Sequence, residues 1–285
     1  MRKETISDTF TILEWTPVCS WCWIRKDAAE IRDVLLAGPP GAVSGPDVLW
    51  QTQKKTVLRL KTASGLDLAC KWGVDVRWLP YGFSWTQAMK EAYNFKRLAH
   101  VELPLVKLVA VGEERGFFSI RNYFLVTEYA DGFQDGRYFF ESFSYEPWMR
   151  DEFTRRNFAL IARLHDAGFC HGGFTPMNEL WSKLPEPDAE GNRLDIRWID
   201  IATCSRAWGQ KLKRLIAEDL GNFLRFYSFT EAERREHLRG YLEATKVKRF
   251  DLDTLCRAVE EAIAARIRWE EFKAEKKAQK KMANS

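Results

Sequence analysis

No apolar stretch in this 285-residue chain reaches the roughly 18 residues of a membrane-spanning helix, because charges interrupt every candidate. The first eleven residues carry both charge signs and no apolar centre, unlike a secretory leader. Cysteines number six, at irregular positions. That is too sparse for a disulfide framework at this length and sets the expectation of a reducing, cytoplasmic compartment. Histidine is scarcer, at four. No Gly-x-Gly-x-x-Gly precedes Thr56, so a conventional phosphate-covering loop is missing. Internal repeats and low-complexity tracts are also lacking. Neither charge sign dominates, with 44 basic against 40 acidic residues.

What is present is a rich supply of core-forming side chains. Hydrophobic residues make up 46% and aromatic residues 14%, with 12 tryptophans, which excludes a disordered chain and suggests one large domain or two lobes. The net charge of +4 is concentrated at 266–285, where Arg266, Arg268, Lys273, Lys276, Lys277, Lys280 and Lys281 outnumber Glu270, Glu271 and Glu275. Such a helix suits anionic lipid headgroups or a phosphate-rich glycolipid, the alternative being a solvated helix that frays into a tail. A nucleic-acid partner would need a broader basic face and is not expected.

Breakers at Gly38–Gly41 and Gly45-Pro46 separate an N-terminal extension, 1–46, from the body. Thr56–Lys61 and Leu66–Trp72 flank Thr62–Gly65 as a hairpin. Ser84 and Gln87 form a capping box for a helix carrying Trp85, Ala88, Met89, Ala92, Phe95 and Leu98 at helical spacing. Leu105–Gly112 and Arg121–Tyr129 read as strands. Helical periodicity takes over at Trp148–His165, which stops at a Gly168 cap. Strands at Glu179–Lys183 and Leu194–Ile201 flank a polar turn. Helices follow at about Lys211–Phe226, Glu231–Leu242 and Asp251–Lys281. The divisions expected are therefore 1–46, 47–130, 131–265 and 266–285.

Four features stand in a fixed order. Lys71 lies in Leu68-Ala69-Cys70-Lys71-Trp72, where alternation puts Ala69 and Lys71 on one strand face. Glu91 follows on the next helix. His165–Asn178 reads His-Asp-Ala-Gly-Phe-Cys-His-Gly-Gly-Phe-Thr-Pro-Met-Asn. Asp200 closes the strand Arg197-Trp198-Ile199-Asp200. Together they resemble the protein-kinase-like superfamily, and within it the lipopolysaccharide core (heptose/Kdo) kinases, whose loop has the general form Leu-His-x-x-Gly-x-x-His-Gly-Asp-x-x-x-x-Asn. The resemblance spans roughly Lys55 to Lys281. It implies an α+β, two-lobed fold: a small antiparallel sheet with one helix, then a mostly helical lobe.

The same resemblance implies the site. Lys71 would neutralise ATP phosphate oxygens and Glu91 would hold its ammonium. Glu128-Tyr129-Ala130 would be the hinge whose backbone, at Glu128 and Ala130, bonds adenine. His171 would be the loop histidine, Asn178 and Asp200 would hold Mg²⁺, and Asp219 would brace the loop backbone. The acceptor would be a sugar hydroxyl of a glycolipid inner core, at the cytoplasmic face of the inner membrane. Thr175 stands where Ser/Thr protein kinases carry a lysine, which favours a non-protein acceptor.

One position departs from the pattern. Gly173 occupies the place of the aspartate that orients the acceptor hydroxyl and takes its proton, assistance worth typically ~10²–10⁴ in rate. Asp166 reads as a solvated helix cap, and Glu179, at a strand start, should point away from Asn178. Neither replaces the missing carboxylate. The alternative function is a pseudokinase: the same scaffold serving as a nucleotide- or glycolipid-binding regulatory or scaffold protein. Cys19-x-x-Cys22 has half a zinc-site spacing and reads as packing. The tryptophans of the first third read as core or interface residues. His100 and His237 have no partner visible in sequence.

Overall fold

In Leu68–Trp72 the side chains alternate between two faces, and in the computed structural model these residues lie in a strand with Leu68, Cys70 and Trp72 buried and Ala69 and Lys71 on its other face. The structure describes residues 10–13, 21–32, 35, 47–52, 54–77, 85–115, 120–142 and 146–282. The chain divides into two units, 1–100 with 105–132, and 101–104 with 133–285.

The first unit is built on a seven-stranded antiparallel sheet. Its strands are β1 (Phe10–Leu13), β2 (Trp21–Arg25), β3 (Asp47–Gln51), β4 (Lys55–Lys61), β5 (Asp67–Arg77), β6 (Leu108–Arg115) and β7 (Ile120–Glu128), in the order β1-β2-β6-β7-β5-β4-β3. Helix α1 (Gln87–Leu98) packs Ala88 and Ala92 on Val111, Tyr123 and Leu125. On the opposite face a 3₁₀ segment, Lys26–Ile31, sets Ala28 and Ile31 against Leu68, Trp72, Phe124 and Val126. Gly73 faces Tyr123 across the β5–β7 pair, and the phenol ring lies where a Cβ would stand, 2.2 Å from it.

Two sequence expectations change here. The segment assigned to an N-terminal extension supplies strands to the sheet itself, since β2 pairs with β6 from Trp21↔Glu113 to Ile24↔Ala110. Cys22 and Ile24 are buried, the alternation of a core strand concealed within a run of uniformly large residues. The Gly38–Pro46 breakers lie outside the described residues, as do Cys19 and Ser84. The cap of α1 is Thr86, whose hydroxyl accepts from Met89 N (3.2 Å) and donates to the buried Glu113 carboxylate.

The second unit contains α2 (Tyr138–Glu141), α3 (Pro147–Asp166), α4 (Gly209–Leu224), α5 (Glu231–Ala244) and α6 (Leu252–Met282). Beside them, β10 (Glu179–Lys183) pairs with β11 (Leu194–Trp198) and with β8 (Gln134–Asp135), and β9 (Phe169–Cys170) pairs with β12 (Ser205–Arg206). A run of aromatic rings, Phe139, Phe153, Phe223, Phe174 and Trp198, forms its core. Helix α3 begins with proline at its first turn and closes at Gly168, which takes the left-handed conformation (φ 79°) that a helix cap favours. Gly221 lets α4 approach α6 closely: a Cβ there would stand 3.3 Å from the Val259 carbonyl oxygen.

Asp166 is not the solvated cap its sequence context suggested. Its carboxylate accepts from the backbone N–H groups of Lys246 (2.7 Å) and Val247 (3.1 Å) and pairs with Arg249, pinning the α5–α6 connection. His237, partnerless in sequence, lies among Phe158 and Phe229. Past Ala265, α6 carries exposed Ile267, Trp269, Phe272 and Met282 between its cations. No helix among the described residues is long and apolar enough to cross a membrane.

Candidate active site

Each unit holds one set of the expected residues. In the first, Lys71 Nζ lies 3.0 Å from Glu91 Oε2, and the glutamate is only 2% exposed. A carboxylate buried so deeply needs a cation beside it, so the pair fixes the ammonium at one point over the strand. Residues 128–131 are anchored by Tyr129 N donating to Asp67 O (2.8 Å) and by Arg59, which lies over the Tyr129 ring and bonds Asp67 and Asp131. The Glu128 side chain pairs with Arg25 (2.8 Å) and Lys107 (3.5 Å), and Ala130 is buried.

In the second unit the loop between β9 and β10 is held from below by Asp219. This 1%-exposed carboxylate accepts from His171 N (2.7 Å) and Gly172 N (2.8 Å) and lies 3.3 Å from His165 Nε2. The other nitrogen of His165 meets the Tyr241 hydroxyl at 2.9 Å. Cys170 completes a buried His-Cys-Asp cluster. Both Asp219 oxygens already take backbone donors, and burial with the neighbouring Asp219 charge pushes the Cys170 thiol pKa up, so the cluster serves as a brace.

The loop above this brace is tightly specified. Gly172 adopts φ 73°, and a Cβ there would press to 2.9 Å on the Thr203 carbonyl oxygen. Asn178 Nδ2 donates to Gly173 O (2.8 Å), which leaves its Oδ1 for another partner. Ile199 N donates to Asn178 O (2.9 Å), so the chain carrying Asp200 runs beside Asn178. Asp200 sits in the left-handed region (φ 56°, ψ 51°), a conformation of the type that clusters at functional sites. This turn ends β11 at Trp198 rather than at Ile201, and Ile201–Thr203 forms a 3₁₀ turn. The hard oxygens of Asn178 and Asp200 fit a magnesium ion by donor type.

Around Gly173 the surroundings are polar. A Cβ on that residue would stand 3.1 Å from Thr203 Oγ1, 3.7 Å from Asn178 Nδ2 and 3.8 Å from His171 Nδ1. Thr203 Oγ1 donates to His171 O at 2.8 Å. His171 is fully buried with its ring near Phe174 and Trp198, and neither ring nitrogen has a hydrogen-bond partner among the described residues. Burial pulls its pKa below the usual range, so the imidazole is neutral.

Two residues near the site were not legible as such. Thr203 carries no motif. Glu179 is buried on the β10 face it shares with Trp181, and its carboxyl has no partner among the described residues. Burial, with Asp219 and Asp200 nearby, holds that carboxyl well above the ordinary range, hence protonated.

The model of the lipopolysaccharide kinase (Kdo/WaaP) family matches residues 75–241, more than half of the chain. Among solved structures, one described as WaaP in complex with acyl carrier protein is 19% identical, with a TM-score of 0.55 over 86% of this chain and 95% of that one. A Rio2 kinase from Chaetomium thermophilum, in an ADP/Mg²⁺-phosphoaspartate complex, is 15% identical over 91% of this chain and 81% of that one, with a TM-score of 0.46. No curated protein matches by sequence.

Proposed function

Because the chain belongs to the lipopolysaccharide kinase (Kdo/WaaP) family and has a protein-kinase-like fold, we propose that it transfers the γ-phosphoryl group of ATP to a sugar hydroxyl of a lipopolysaccharide inner core. The observation that carries this reading is the loop itself. Asp219 holds its backbone, Asn178 clamps Gly173 O, and Ile199 ties Asn178 to the strand end at Asp200. Asn178 and Asp200 would hold Mg²⁺, which supplies charge neutralisation on the phosphates. Lys71, fixed by Glu91, would neutralise phosphate oxygens, and the backbone at Glu128 and Ala130 would receive adenine. With a loose transition state, positioning and charge neutralisation do most of the work, so turnover survives the lack of an aspartate at Gly173, at a reduced rate.

Two features favour a non-peptide, anionic acceptor. Residues 201–208, between Asp200 and α4, are consumed by a 3₁₀ turn and the β12 pairing, leaving no extended platform for a peptide. A cavity of about 790 Å³ between α4 and α6 reaches Gly172, and its lining sets Lys213, Arg214 and Arg266 against Glu218 and Glu261, a modest cationic excess. The basic end of α6, with Trp269 and Phe272 exposed, would rest on an anionic membrane surface.

The test is thermal shift with ATP and Mg²⁺, followed by phosphate transfer to purified core oligosaccharide. Metal-dependent stabilisation that disappears in Lys71→Ala and Asp200→Ala, together with transfer, supports the reading. Absence of both refutes it. Gly173 favours a second reading, a pseudokinase that binds nucleotide or glycolipid, and stabilisation without transfer to any core acceptor would select it.

A further inference from the structure

We propose that Lys55 is a second phosphate-binding cation of the nucleotide site, taking the place of the glycine-rich cradle that this chain lacks. The inference rests on the phosphotransferase reading and deepens it by naming what grips the polyphosphate beside Lys71.

A glycine-rich loop holds phosphates through its backbone N–H groups. The turn between β3 and β4 has already spent those groups at each of its described residues. Thr52 N donates to Lys55 O (2.8 Å), and the Thr52 hydroxyl accepts from Lys54 N (3.3 Å) and Lys55 N (3.1 Å). Holding an anion at this turn is therefore left to side-chain donors.

Strand pairing decides which side chain is placed for it. Val57 stands opposite Lys71 across β4 and β5, and Lys55 lies two residues before Val57, opposite Gly73. Directly opposed residues share a face, and so do residues two apart, which puts Lys55 and Lys71 on one face of the sheet. It is the face on which α1 packs. Tyr123 and Leu125, the β7 partners of Gly73 and Lys71, lie against Ala88 and Ala92 of that helix.

Two parallel tethers result. Lys71 Nζ lies 3.0 Å from Glu91 Oε2, and Lys55 Nζ donates to Gln87 Oε1. Gln87 and Glu91 stand four residues apart on α1, so the anchors are separated along its axis by about 6 Å. Two ammonium groups so anchored suit neighbouring groups of a single polyphosphate. The tethers differ in charge: Glu91 offsets the charge of Lys71, whereas Gln87 is neutral and leaves that of Lys55 in force. Lys55 is half-buried and its turn is exposed at Thr52 and Lys54, so a ligand reaches it from solvent. The ligand chemistry is that of a nucleoside di- or triphosphate, and a nucleoside without phosphates gains nothing from Lys55.

The experiment is titration calorimetry of the full chain, in the presence of Mg²⁺, with ATP, adenosine and inorganic tripolyphosphate. Lys55→Met keeps the stem and removes the charge. It should weaken ATP and tripolyphosphate by roughly 10-fold or more, and adenosine by less than about 2-fold. Lys55→Arg should recover most of the affinity. Gln87→Glu separates binding from packing and serves equally if Lys55→Met does not fold. Its carboxylate pairs with Lys55, so the melting temperature should hold or rise while ATP affinity falls. A loss shared equally by adenosine and ATP in Lys55→Met overturns the inference, as does unchanged ATP affinity in either variant, and both leave the kinase reading standing. If the wild type binds no ATP, the kinase reading falls and the inference with it.

Discussion

Removing the carboxylate of Asp219 should loosen the site loop far more than it disturbs the rest of the protein. The side chain accepts two backbone N–H groups, from His171 at 2.7 Å and Gly172 at 2.8 Å, and no water can replace it at 1% exposure. Hydrogen bonds to a charged acceptor contribute roughly 1.5–3 kcal/mol each. Asp219→Ala therefore forfeits about 3–6 kcal/mol, a large part of a typical ~5–15 kcal/mol total. Asp219→Asn keeps one acceptor oxygen and turns an N–H toward the second donor, so its loss is about half as great. The informative assay is amide hydrogen exchange. At His171 and Gly172 the Asn variant should exchange at least ~10-fold faster, the kinetic equivalent of ~1.4 kcal/mol, while β5–β7 amides keep their protection. Urea unfolding should show the matching loss of stability. Unchanged exchange at those two amides would show that the loop is held by something other than this carboxylate.

Three further outcomes follow from particular contacts. Gly73→Ala drives a methyl into the Tyr123 ring and should cost roughly 1–3 kcal/mol in urea titration. Combining it with Tyr123→Ala should cost less than the two single changes added together, and simple additivity would contradict the overlap. Glu179→Leu removes an unpartnered buried carboxyl and should stabilise the protein at neutral pH. Because the folded-state pKa of Glu179 is raised, its contribution is intact below the unfolded value near ~4.3 and is lost as pH rises toward the folded value. The advantage of the leucine variant in metal-free denaturation should therefore grow between pH 5 and pH 8, by at most ~10-fold in the folding equilibrium per unit, and a flat difference would refute the assignment. Burial lowers the pKa of His237, so the wild type gains its full contribution above about pH 6.5 and loses it as pH falls toward the folded value. His237→Phe should flatten that acid limb in a melting-temperature profile, and an unchanged profile would rule His237 out as its source.

What the sequence made legible was periodic or local. Leu68, Cys70 and Trp72 announced β5 by alternation, and Gly168 announced the end of α3. The Lys71–Glu91 spacing told which strand face and which helix to compare. The hidden features depend on pairing between distant segments. Trp21–Arg25 is apolar at nearly every position, so its alternation emerges only when β6 lies alongside. Thr203 borders Gly173 through a turn set by the backbone of Asp200, and nothing in Ile201–Cys204 encodes that approach. Glu179 was expected to face away from Asn178; what could not be read was that its carboxyl is buried with no partner among the described residues. Asp166 misled for the reverse reason, since its partners are backbone groups some eighty residues onward.

The pairing of β2 with β6 bears on how the protein can be shortened. A version starting at Asp47 looks harmless from the breaker-rich stretch before it. It would strip the cover from one rim of the sheet, leaving Val109 and Ala110 beside bare amides and carbonyls. An unpaired rim of that kind recruits strands from other molecules, so trimming should yield sticky, self-associating material rather than a minimal soluble core.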